Sequence, residues 1–285
     1  MGSNQLLPKR IIGLLSMMRL PNCLMMGFAV IVGELIASQI VPARVAFNGF
    51  MAGFFLLAAS MVLNDYFDRE IDAINQPKRP IPIGAVKTSE AISFAIILAC
   101  VGMLFAAYTG VWTLIIAIAS VILTITYNTK IKKLGLLGNA IVSTNVAIPF
   151  IYGGFAIGSL TWSLGIFALL AFLSNMGREV VKGIVDVSGD TAKGVKSVAA
   201  TKGDAHAARL GGSLFLAAVA LSGLPIVLRL VSYYYIPLVA ISDIGFILTA
   251  YSIITNSSPR NAERNKRFVL AWMTFGLLAF IMGTL

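Results

Sequence analysis

Long uncharged segments alternate with short charged segments along the whole chain. A helix that crosses the hydrocarbon layer of a membrane needs roughly 20 consecutive, mainly apolar residues. The spacing of the charges therefore predicts nine membrane-spanning helices. Their expected ranges are 23–42, 45–63, 90–107, 111–128, 137–155, 161–177, 211–228, 231–255 and 268–285.

Two of the uncharged intervals are too long for a single crossing and must contain a turn. Residues 91–129 carry no charge, and Tyr108-Thr109-Gly110 is the natural place for the chain to reverse. Residues 134–177 are likewise uncharged, and Gly153-Gly154 with Gly158-Ser159 predict the second break, because glycine interrupts helices.

The composition agrees with a membrane protein and excludes an ordinary soluble domain. Hydrophobic residues make up 58% of the 285 residues and charged residues 12%, and the mean hydropathy is +0.88. Soluble domains typically carry about a quarter charged residues. We therefore expect an all-α, multi-pass integral membrane protein, located in the cell membrane.

The basic residues are distributed unequally between the two ends of the predicted helices. Twenty of the 22 Lys and Arg residues lie before the first span or after the second, fourth, sixth and eighth, and only Arg44 and Arg229 lie opposite. Loops rich in Lys and Arg face the cytoplasm. We therefore expect a cytoplasmic N-terminus, cytoplasmic charged loops and an external C-terminus.

The net charge of +10 thus belongs mainly to one membrane face. Such a face attracts anionic lipid head groups or an anionic substrate. Nucleic acid is excluded as a partner, because the bases are interleaved with acids and anchored at helix ends. The two cysteines stand alone and there is one histidine, so a zinc site has no ligands. Protein partners and the oligomeric state remain open.

Two stripes of acidic side chains follow predicted spans on this basic face. In the stretch LNDYFDREIDAINQPKRPIP, Asn64, Asp68 and Asp72 recur every fourth residue, which places them on one helix face if the second span continues. The second stripe lies at the end of the sixth span in REVVKGIVDVSGD. Its members are Glu179, Lys182, Asp186 and Asp190.

The chemistry of these stripes favours a site for a metal-bound diphosphate. Neighbouring carboxylates repel one another unless a cation lies among them, and hard oxygen ligands suit Mg²⁺. Mg²⁺ is usually held by one or two carboxylates together with phosphate oxygens of a substrate. Either stripe by itself could be a solvated helix end, but two stripes surrounded by bases favour a diphosphate site.

These residues resemble the motifs of a known family, the UbiA intramembrane prenyltransferases. The first family motif, NDxxDxxxD, stands intact as NDYFDREID at 64–72 and continues into the familiar N.P.RPIP pattern at 75–82. The second motif, DxxxD, matches Asp186 and Asp190. The resemblance covers nearly the whole chain, including the segment from Tyr127 to Asn139.

Within the family, the segments at 19–38 and 178–190 look most like the archaeal branch that makes digeranylgeranylglyceryl phosphate. That branch usually reads KDIED where this chain reads KGIVD at 182–186, so acids are replaced at Gly183 and Val185. A TLP-like sequence of the branch is replaced by Ser197-Val198-Ala199. The departures leave the expected reaction class unchanged and bear on the acceptor.

The resemblance implies a single domain over 1–285, with nine helices around a central apolar cavity and a cytoplasmic cap of polar loops. The implied catalytic residues are Asp68, Asp72, Asp186 and Asp190. The implied Mg²⁺ ligands are Asn64, Asp68, Asp72, Asp186 and Asp190. The implied substrate contacts are Asn22, Lys78, Arg79, Tyr127, Lys130 and Lys182. For Lys78 and Lys130, an ordinary role as positive-inside anchors is an open alternative.

The implied reaction is the Mg²⁺-dependent transfer of a prenyl group, expected to be geranylgeranyl, from a prenyl diphosphate to an acceptor. The segment between spans six and seven carries more bases than acids, which favours an anionic lipid, geranylgeranylglyceryl phosphate. Aromatic acceptors of quinone biosynthesis, hydroxybenzoate or a naphthoate, stay open, as does the prenyl chain length.

A cation transporter is the rival hypothesis, and it depends on two acids inside predicted spans. Glu34 in span one and Asp243 in span eight would be costly if they faced lipid, and neither belongs to the family motifs. Glu34 is expected near the outer side, where it could reach the interface. Transporters bind ions near the membrane midplane, whereas the acidic stripes lie at one surface, which favours the transferase.

Overall fold

The computed structural model describes residues 3–285, with side chains from Lys9 onward, and every regular element in that range is helical. A π-helical turn (Tyr127–Ile131) and a 3₁₀ turn (Lys132–Leu134) follow α6. The helices are α1 (Ser3–Met18), α2 (Leu20–Ala37), α3 (Ala43–Phe67), α4 (Arg69–Asn75), α5 (Thr88–Thr109), α6 (Val111–Thr126), α7 (Leu136–Ile157), α8 (Trp162–Val185), α9 (Val187–Ala192), α10 (Val198–Lys202), α11 (Asp204–Ser222), α12 (Leu224–Val227), α13 (Tyr235–Thr255) and α14 (Pro259–Gly283).

Nine of the helices in the described range are long and apolar enough to cross a membrane, as the charge spacing predicted. They are α2, α3, α5, α7, α8, α13 and α14, the span Val111–Leu134 formed by α6 and the two turns after it, and the span Asp204–Val227 formed by α11 and α12. Several are longer than the uncharged intervals. α8 continues from Gly177 to Val185, and α14 begins at Pro259 rather than at 268. The uncharged interval therefore identifies only the apolar part of a helix. Glu179 and Lys182, which follow the sixth uncharged interval, lie on α8 itself.

One of the two predicted breaks is correct, and the other is partly wrong. α5 ends at Thr109 and α6 begins at Val111, with Gly110 between them. α7 runs through Gly153 and Gly154 to Ile157 and ends at Gly158, whose φ of 80° lies in the left-handed region that favours glycine. The turn is therefore at Gly158, and the earlier glycines have another role.

Gly153 permits a close crossing of α7 and α2. A Cβ atom at Gly153 would lie 2.4 Å from the backbone nitrogen of Glu34, and one at Gly33 would lie 2.6 Å from the backbone oxygen of Phe150. Membrane helices often associate through small residues, because apolar side chains gain little by leaving lipid for protein. The two backbones therefore touch where both side chains are absent.

The helix contacts form a closed ring. α2 packs on α3 and α7, α7 on α8, α8 on α11, α11 on α13, α13 on α14, and α14 contacts α2 and α8 again. α5 lies behind α3, and α6 contacts α5 and α7. The ring surrounds a central cavity of about 390 Å³, as the predicted fold class required. The short helices α4, α9 and α10 lie at one end of this cavity.

We expect Gly153→Ala to destabilise the protein, because the added methyl group meets backbone that cannot move without separating α2 from α7. Overpacking of this kind costs about 1–3 kcal/mol. Thermal unfolding in detergent should show a midpoint several degrees lower. Gly165→Ala is the matched control, because the Cβ position at Gly165 has nothing within 4 Å. Equal midpoints for the two variants would contradict the close crossing.

Candidate active site

The first acidic stripe forms a nearly continuous helical face across the end of α3. α3 ends at Phe67, Asp68 is the joint with φ −87° and ψ −2°, and α4 begins at the next residue. The Asp68 backbone N–H donates to the Asn64 oxygen at 2.8 Å, and the Asp72 N–H donates to the Asp68 oxygen at 2.7 Å. The four-residue spacing therefore brings Asn64, Asp68 and Asp72 to one side, as predicted.

The second acidic stripe is built in the same way across the end of α8. Asp186 is the joint between α8 and α9, with φ −93° and ψ 4°. The Asp186 N–H donates to the Lys182 oxygen at 3.1 Å, and the Asp190 N–H donates to the Asp186 oxygen at 2.9 Å. Glu179 on α8 pairs with Arg178 at 2.9 Å and with Lys182 at 3.3 Å.

Two arginines meet at the buried carboxylate of Asp65. Arg79 Nη1 lies 2.8 Å from Asp65 Oδ1 and 2.6 Å from Asp72 Oδ2, so one nitrogen joins both acids. Arg19 Nη2 lies 2.6 Å from Asp65 Oδ1. Arg19 has a left-handed backbone (φ 55°, ψ 62°) at the joint between α1 and α2, which turns its side chain toward the cavity.

The turn after α6 brings Lys132 to the first stripe. Lys132 pairs with Asp68, and its side chain is 17% exposed. Asn64 Nδ2 donates to Asp68 Oδ2 at 2.7 Å and to Asn128 Oδ1 at 3.2 Å. Because a π-helical turn is wider than an α-helical turn, it changes which lysine of the segment faces inward. Lys130 is therefore exposed, and Lys132 occupies the position beside the acids.

Burial raises the pKa of two carboxyl groups beyond the ends of the spanning helices. The pKa of Asp72 rises to about 6 because of burial, although the charge of Arg79 opposes the rise. The pKa of Asp190 also rises to about 6, because burial and the charge of Asp186 both favour the neutral form. A cation that approaches these groups therefore stabilises their charged form.

Nine of the eleven predicted site residues line the central cavity, and two do not. Lys78 and Lys130 are exposed and lie outside it, which agrees with the alternative that they are surface anchors. Residues that the sequence interpretation did not select also line it, among them Arg19, Asn75, Asn128, Lys132 and Arg178. The predicted residues in the lining are Asn22, Asn64, Asp68, Asp72, Arg79, Tyr127, Lys182, Asp186 and Asp190.

The residues of the cavity mouth fit Mg²⁺ better than a metal held entirely by protein. Among the side chains described, no three from His, Cys, Asp and Glu are grouped so that they could hold an ion by themselves. Mg²⁺ retains several waters and commonly takes one or two carboxylates, with the remaining positions filled by substrate phosphate. The carboxylate and amide oxygens of the two stripes suit such an ion.

The departures from the archaeal pattern lie on the lining or just behind it. A Cβ atom at Gly183 would lie 3.4 Å from the Cβ of Ser197, so these two replaced positions face each other. Both residues line the cavity. Val185 instead packs against the apolar core between α8, α11 and α13. Only one of the two absent acids would therefore have reached the cavity.

Below its charged mouth the central cavity is mainly apolar, and a smaller apolar cavity lies beside it. The apolar limb of the central cavity runs between α8, α13 and α14, past Leu170, Val239, Phe246 and Leu277. The smaller cavity, of about 70 Å³, lies between α2, α3, α6 and α7. The two cavities share the lining residues Met26, Leu57, Ser60, Thr124 and Asn145.

The two isolated acids within the spans have different surroundings. Asp243 lines the far part of the apolar limb, and Ser222 Oγ donates to its Oδ2 at 2.7 Å. Glu34 is fully buried against α3, where a Cβ atom at Gly49 would lie 2.2 Å from its Oε1. The expectation that Glu34 reaches the interface is therefore wrong. Neither acid joins a metal-binding group among the described side chains.

Comparison with known proteins shows that the similarity to the UbiA family extends beyond the two motifs to most of the chain. The model of the UbiA prenyltransferase family matches residues 26–279. The chain is 35% identical to digeranylgeranylglyceryl phosphate synthase of Methanosarcina mazei, covering 94% of this chain and 97% of the relative. It is 34% identical to the synthase of Methanocaldococcus jannaschii, covering 95% of each protein.

Solved structures show the same architecture. A structure of digeranylgeranylglyceryl phosphate synthase superposes with a TM-score of 0.73 at 33% identity and covers 96% of this chain and 98% of the other. A UbiA homologue from Aeropyrum pernix has a TM-score of 0.80 at 20% identity, with coverage of 92% and 98%, and shows the fold alone. Because the family match spans most of the chain and includes both aspartate motifs, this protein is a membrane prenyltransferase of the UbiA family.

Proposed function

We propose that this protein transfers a geranylgeranyl group from geranylgeranyl diphosphate to the free hydroxyl of geranylgeranylglyceryl phosphate, and that residues 1–285 act as one domain. The observation that carries the proposal is a central cavity with a charged mouth and an apolar limb, beside a smaller apolar cavity that shares part of its lining. Relatives named digeranylgeranylglyceryl phosphate synthase at 34 and 35% identity support the same substrates.

The two acidic stripes are proposed to hold Mg²⁺ through Asn64, Asp68, Asp72, Asp186 and Asp190. When bound, the ion neutralises negative charge that grows on the leaving diphosphate. A UbiA homologue from Archaeoglobus fulgidus, with a TM-score of 0.65 at 15% identity and coverage of 94% and 99%, was solved bound to GPP and Mg²⁺. That structure supports an allylic diphosphate and Mg²⁺ as ligands of this fold.

Two bases at the mouth, Arg79 and Lys132, are proposed to bind the diphosphate. Arg79 and Lys132 each pair with a motif carboxylate, and Lys182 pairs with the nearby Glu179. These pairs compensate the buried charges before substrate arrives. When the diphosphate enters together with its cation, the paired groups are proposed to exchange partners. The carboxylates then face the metal ion, and the bases face the phosphate oxygens. Tyr127 and Asn22 complete the proposed contacts.

The proposed reaction begins with heterolytic cleavage of the bond between the allylic carbon and the diphosphate oxygen. The hydroxyl oxygen of the acceptor then forms a bond to the allylic carbon, and its proton passes to the released diphosphate. Arg79 and Lys132 stabilise the departing negative charge, because each is directed at the mouth before the reaction begins. The apolar limb keeps water, the competing nucleophile, away from the cation.

The smaller cavity favours an acceptor that carries its own apolar chain. A hydroxybenzoate or naphthoate needs space beside the diphosphate but has no long chain to bury. Geranylgeranylglyceryl phosphate brings a second prenyl chain, for which the cavity between α2, α3, α6 and α7 offers an apolar lining. Its phosphate is proposed to contact Lys182 and Arg178, which flank Glu179 at the mouth.

The mouth is proposed to face the cytoplasm, with the polar loops and short helices as a cytoplasmic cap. This orientation is supported by the basic residues, of which 20 of 22 lie at that end of the predicted spans. An odd number of crossings then leaves the C-terminus external. The cell membrane is the proposed location.

The acceptor is tested by incubating purified protein with geranylgeranyl diphosphate, Mg²⁺ and a panel of acceptors, followed by mass analysis of the products. We expect product from geranylgeranylglyceryl phosphate, none after EDTA, and recovery when Mg²⁺ is restored. Ready prenylation of hydroxybenzoate or a naphthoate, with none of the lipid phosphate, would replace this assignment with the aromatic one.

Lys182→Ala separates the two substrates kinetically. We expect the KM for geranylgeranylglyceryl phosphate to rise more than the KM for the diphosphate, because Lys182 is proposed to contact the acceptor phosphate. Loss of an interaction with a charged group costs about 1.5–3 kcal/mol, which corresponds to roughly tenfold or more in affinity. A larger change in the KM for the diphosphate would indicate that Lys182 contacts the diphosphate and not the acceptor.

Substitutions of Lys132 and of Lys130 provide a matched test of the proposed diphosphate contact. Lys132→Ala should raise the KM for geranylgeranyl diphosphate roughly tenfold or more, because a base beside Asp68 is lost. Lys130→Ala should leave that KM unchanged, because Lys130 is exposed and outside the cavity. Equal effects of the two substitutions would argue against the inward position of Lys132.

The orientation is tested with reporters that fluoresce or react on only one side of the membrane. A reporter after Leu285 should be external and one near Lys196 cytoplasmic, because three crossings separate them. If both report the same side, the number or the order of the crossings is wrong.

A further inference from the structure

Asn75 joins the two aspartate motifs through both ends of its side chain. It is the last residue of α4, which follows the first motif. Its Nδ2 donates to the backbone oxygen of Asp186 at 3.2 Å, and its Oδ1 accepts a hydrogen bond from the backbone N–H of Gly189 at 3.0 Å. One side-chain amide therefore contacts the backbone of the second motif at two positions, Asp186 and Gly189.

Gly189 allows this approach. A Cβ atom at position 189 would lie 2.4 Å from Asn75 Nδ2 and 2.6 Å from Asn75 Oδ1. Real Cβ atoms do not come so close to other heavy atoms, so any other residue would displace the Asn75 side chain. Asn75 and Gly189 thus form one contact, called here the motif link.

The motif link matters because the two short helices that carry Asp72 and Asp190 have few supports of their own. α4 has seven residues and α9 has six, and helices of this length are not stable without tertiary contacts. Each follows a joint, at Asp68 and at Asp186, where the long helix has ended. The separation of the two stripes is therefore set by what connects α4 to α9.

Only two polar connections join α4 to the segment 186–193 among the described side chains. One is the motif link, and the other is the ion pair between Glu70 and Lys193. Glu70 is 62% exposed on its side chain, and exposed ion pairs contribute little to stability. The partly buried motif link is thus the stronger candidate for holding the stripes in register.

We propose that Asn75 is a positioning residue that holds the two aspartate motifs at the separation at which one Mg²⁺-bound diphosphate contacts both. The proposal rests on the proposed function of the stripes. Asn75 acts through Asp186 and Gly189, because both ends of its amide are engaged by their backbone. Loss of the link lets α9 move away from α4, and the ion and the diphosphate then bind more weakly together.

The test combines amide hydrogen exchange without metal or substrate with kinetics of the complete reaction. In Asn75→Ala, we expect the Gly189 amide to exchange at least roughly tenfold faster, because it loses its acceptor. The KM for Mg²⁺ and the KM for the diphosphate should rise together by roughly tenfold, while the KM for the acceptor stays near its original value. Gly189→Ala should reproduce these kinetic changes by displacing Asn75.

Two further variants separate positioning from other roles. Asn75→Asp keeps an oxygen that accepts from Gly189 but cannot donate to Asp186, so the Gly189 amide should stay protected while the KM for Mg²⁺ rises. Glu70→Ala removes the exposed ion pair between the same two helices and should change neither exchange nor kinetics. Thermal unfolding of each variant in detergent distinguishes a local change from loss of the fold.

Unchanged exchange of the Gly189 amide in Asn75→Ala would show that the motif link does not form in solution, and the proposal would fall. Faster exchange with unchanged KM values for Mg²⁺ and diphosphate would also overturn it, because the link would then be structural only. If Gly189→Ala does not fold, Asn75→Ala by itself still decides between these outcomes. Absence of turnover in the wild-type protein would instead count against the proposed substrates, and the exchange comparison would remain valid.

Discussion

Buried acids at the ends of apolar helices require cationic partners, and the rest of the site depends on how that requirement is met. Asp65 is 4% exposed and has two arginines within hydrogen-bonding distance, Arg19 and Arg79. An unpaired charge in that position would be strongly destabilising. Because Arg79 also reaches Asp72, one network ties α3, the joint before α2 and the segment after α4 together. The mouth of the cavity is therefore organised by charge compensation.

Close helix contacts form the cavity walls and leave the centre open. At Gly33 and Gly153 the backbones of α2 and α7 touch, and at Gly177 and Gly211 α8 and α11 approach in the same manner. Small residues allow this closeness in a membrane, where apolar burial alone gives helices little reason to associate. The closed ring then separates a central apolar space from the lipid, which is the space that a prenyl chain would occupy.

The two motifs share a construction that places their last acids on weakly supported elements. In each, a long helix ends one residue before an aspartate joint, and a short helix carries the next acid. Asp72 and Asp190 thereby depend on contacts that cross the mouth, notably those of Asn75 and Arg79. The long helices supply rigidity, and the short ones supply a mouth whose width follows from tertiary contacts.

The sequence by itself determined the nine membrane-spanning segments, the four-residue spacing of the acids along each stripe and the family. These properties are local, because hydrophobic length, four-residue spacing and a nine-residue motif can each be read within one segment. Only the tertiary structure decided that Lys132 rather than Lys130 faces Asp68, that Gly153 permits helix contact rather than a turn, that Glu34 is buried, and that Asn75 joins the motifs. Each of these outcomes depends on atoms from segments far apart in the chain, whose approach no local pattern records.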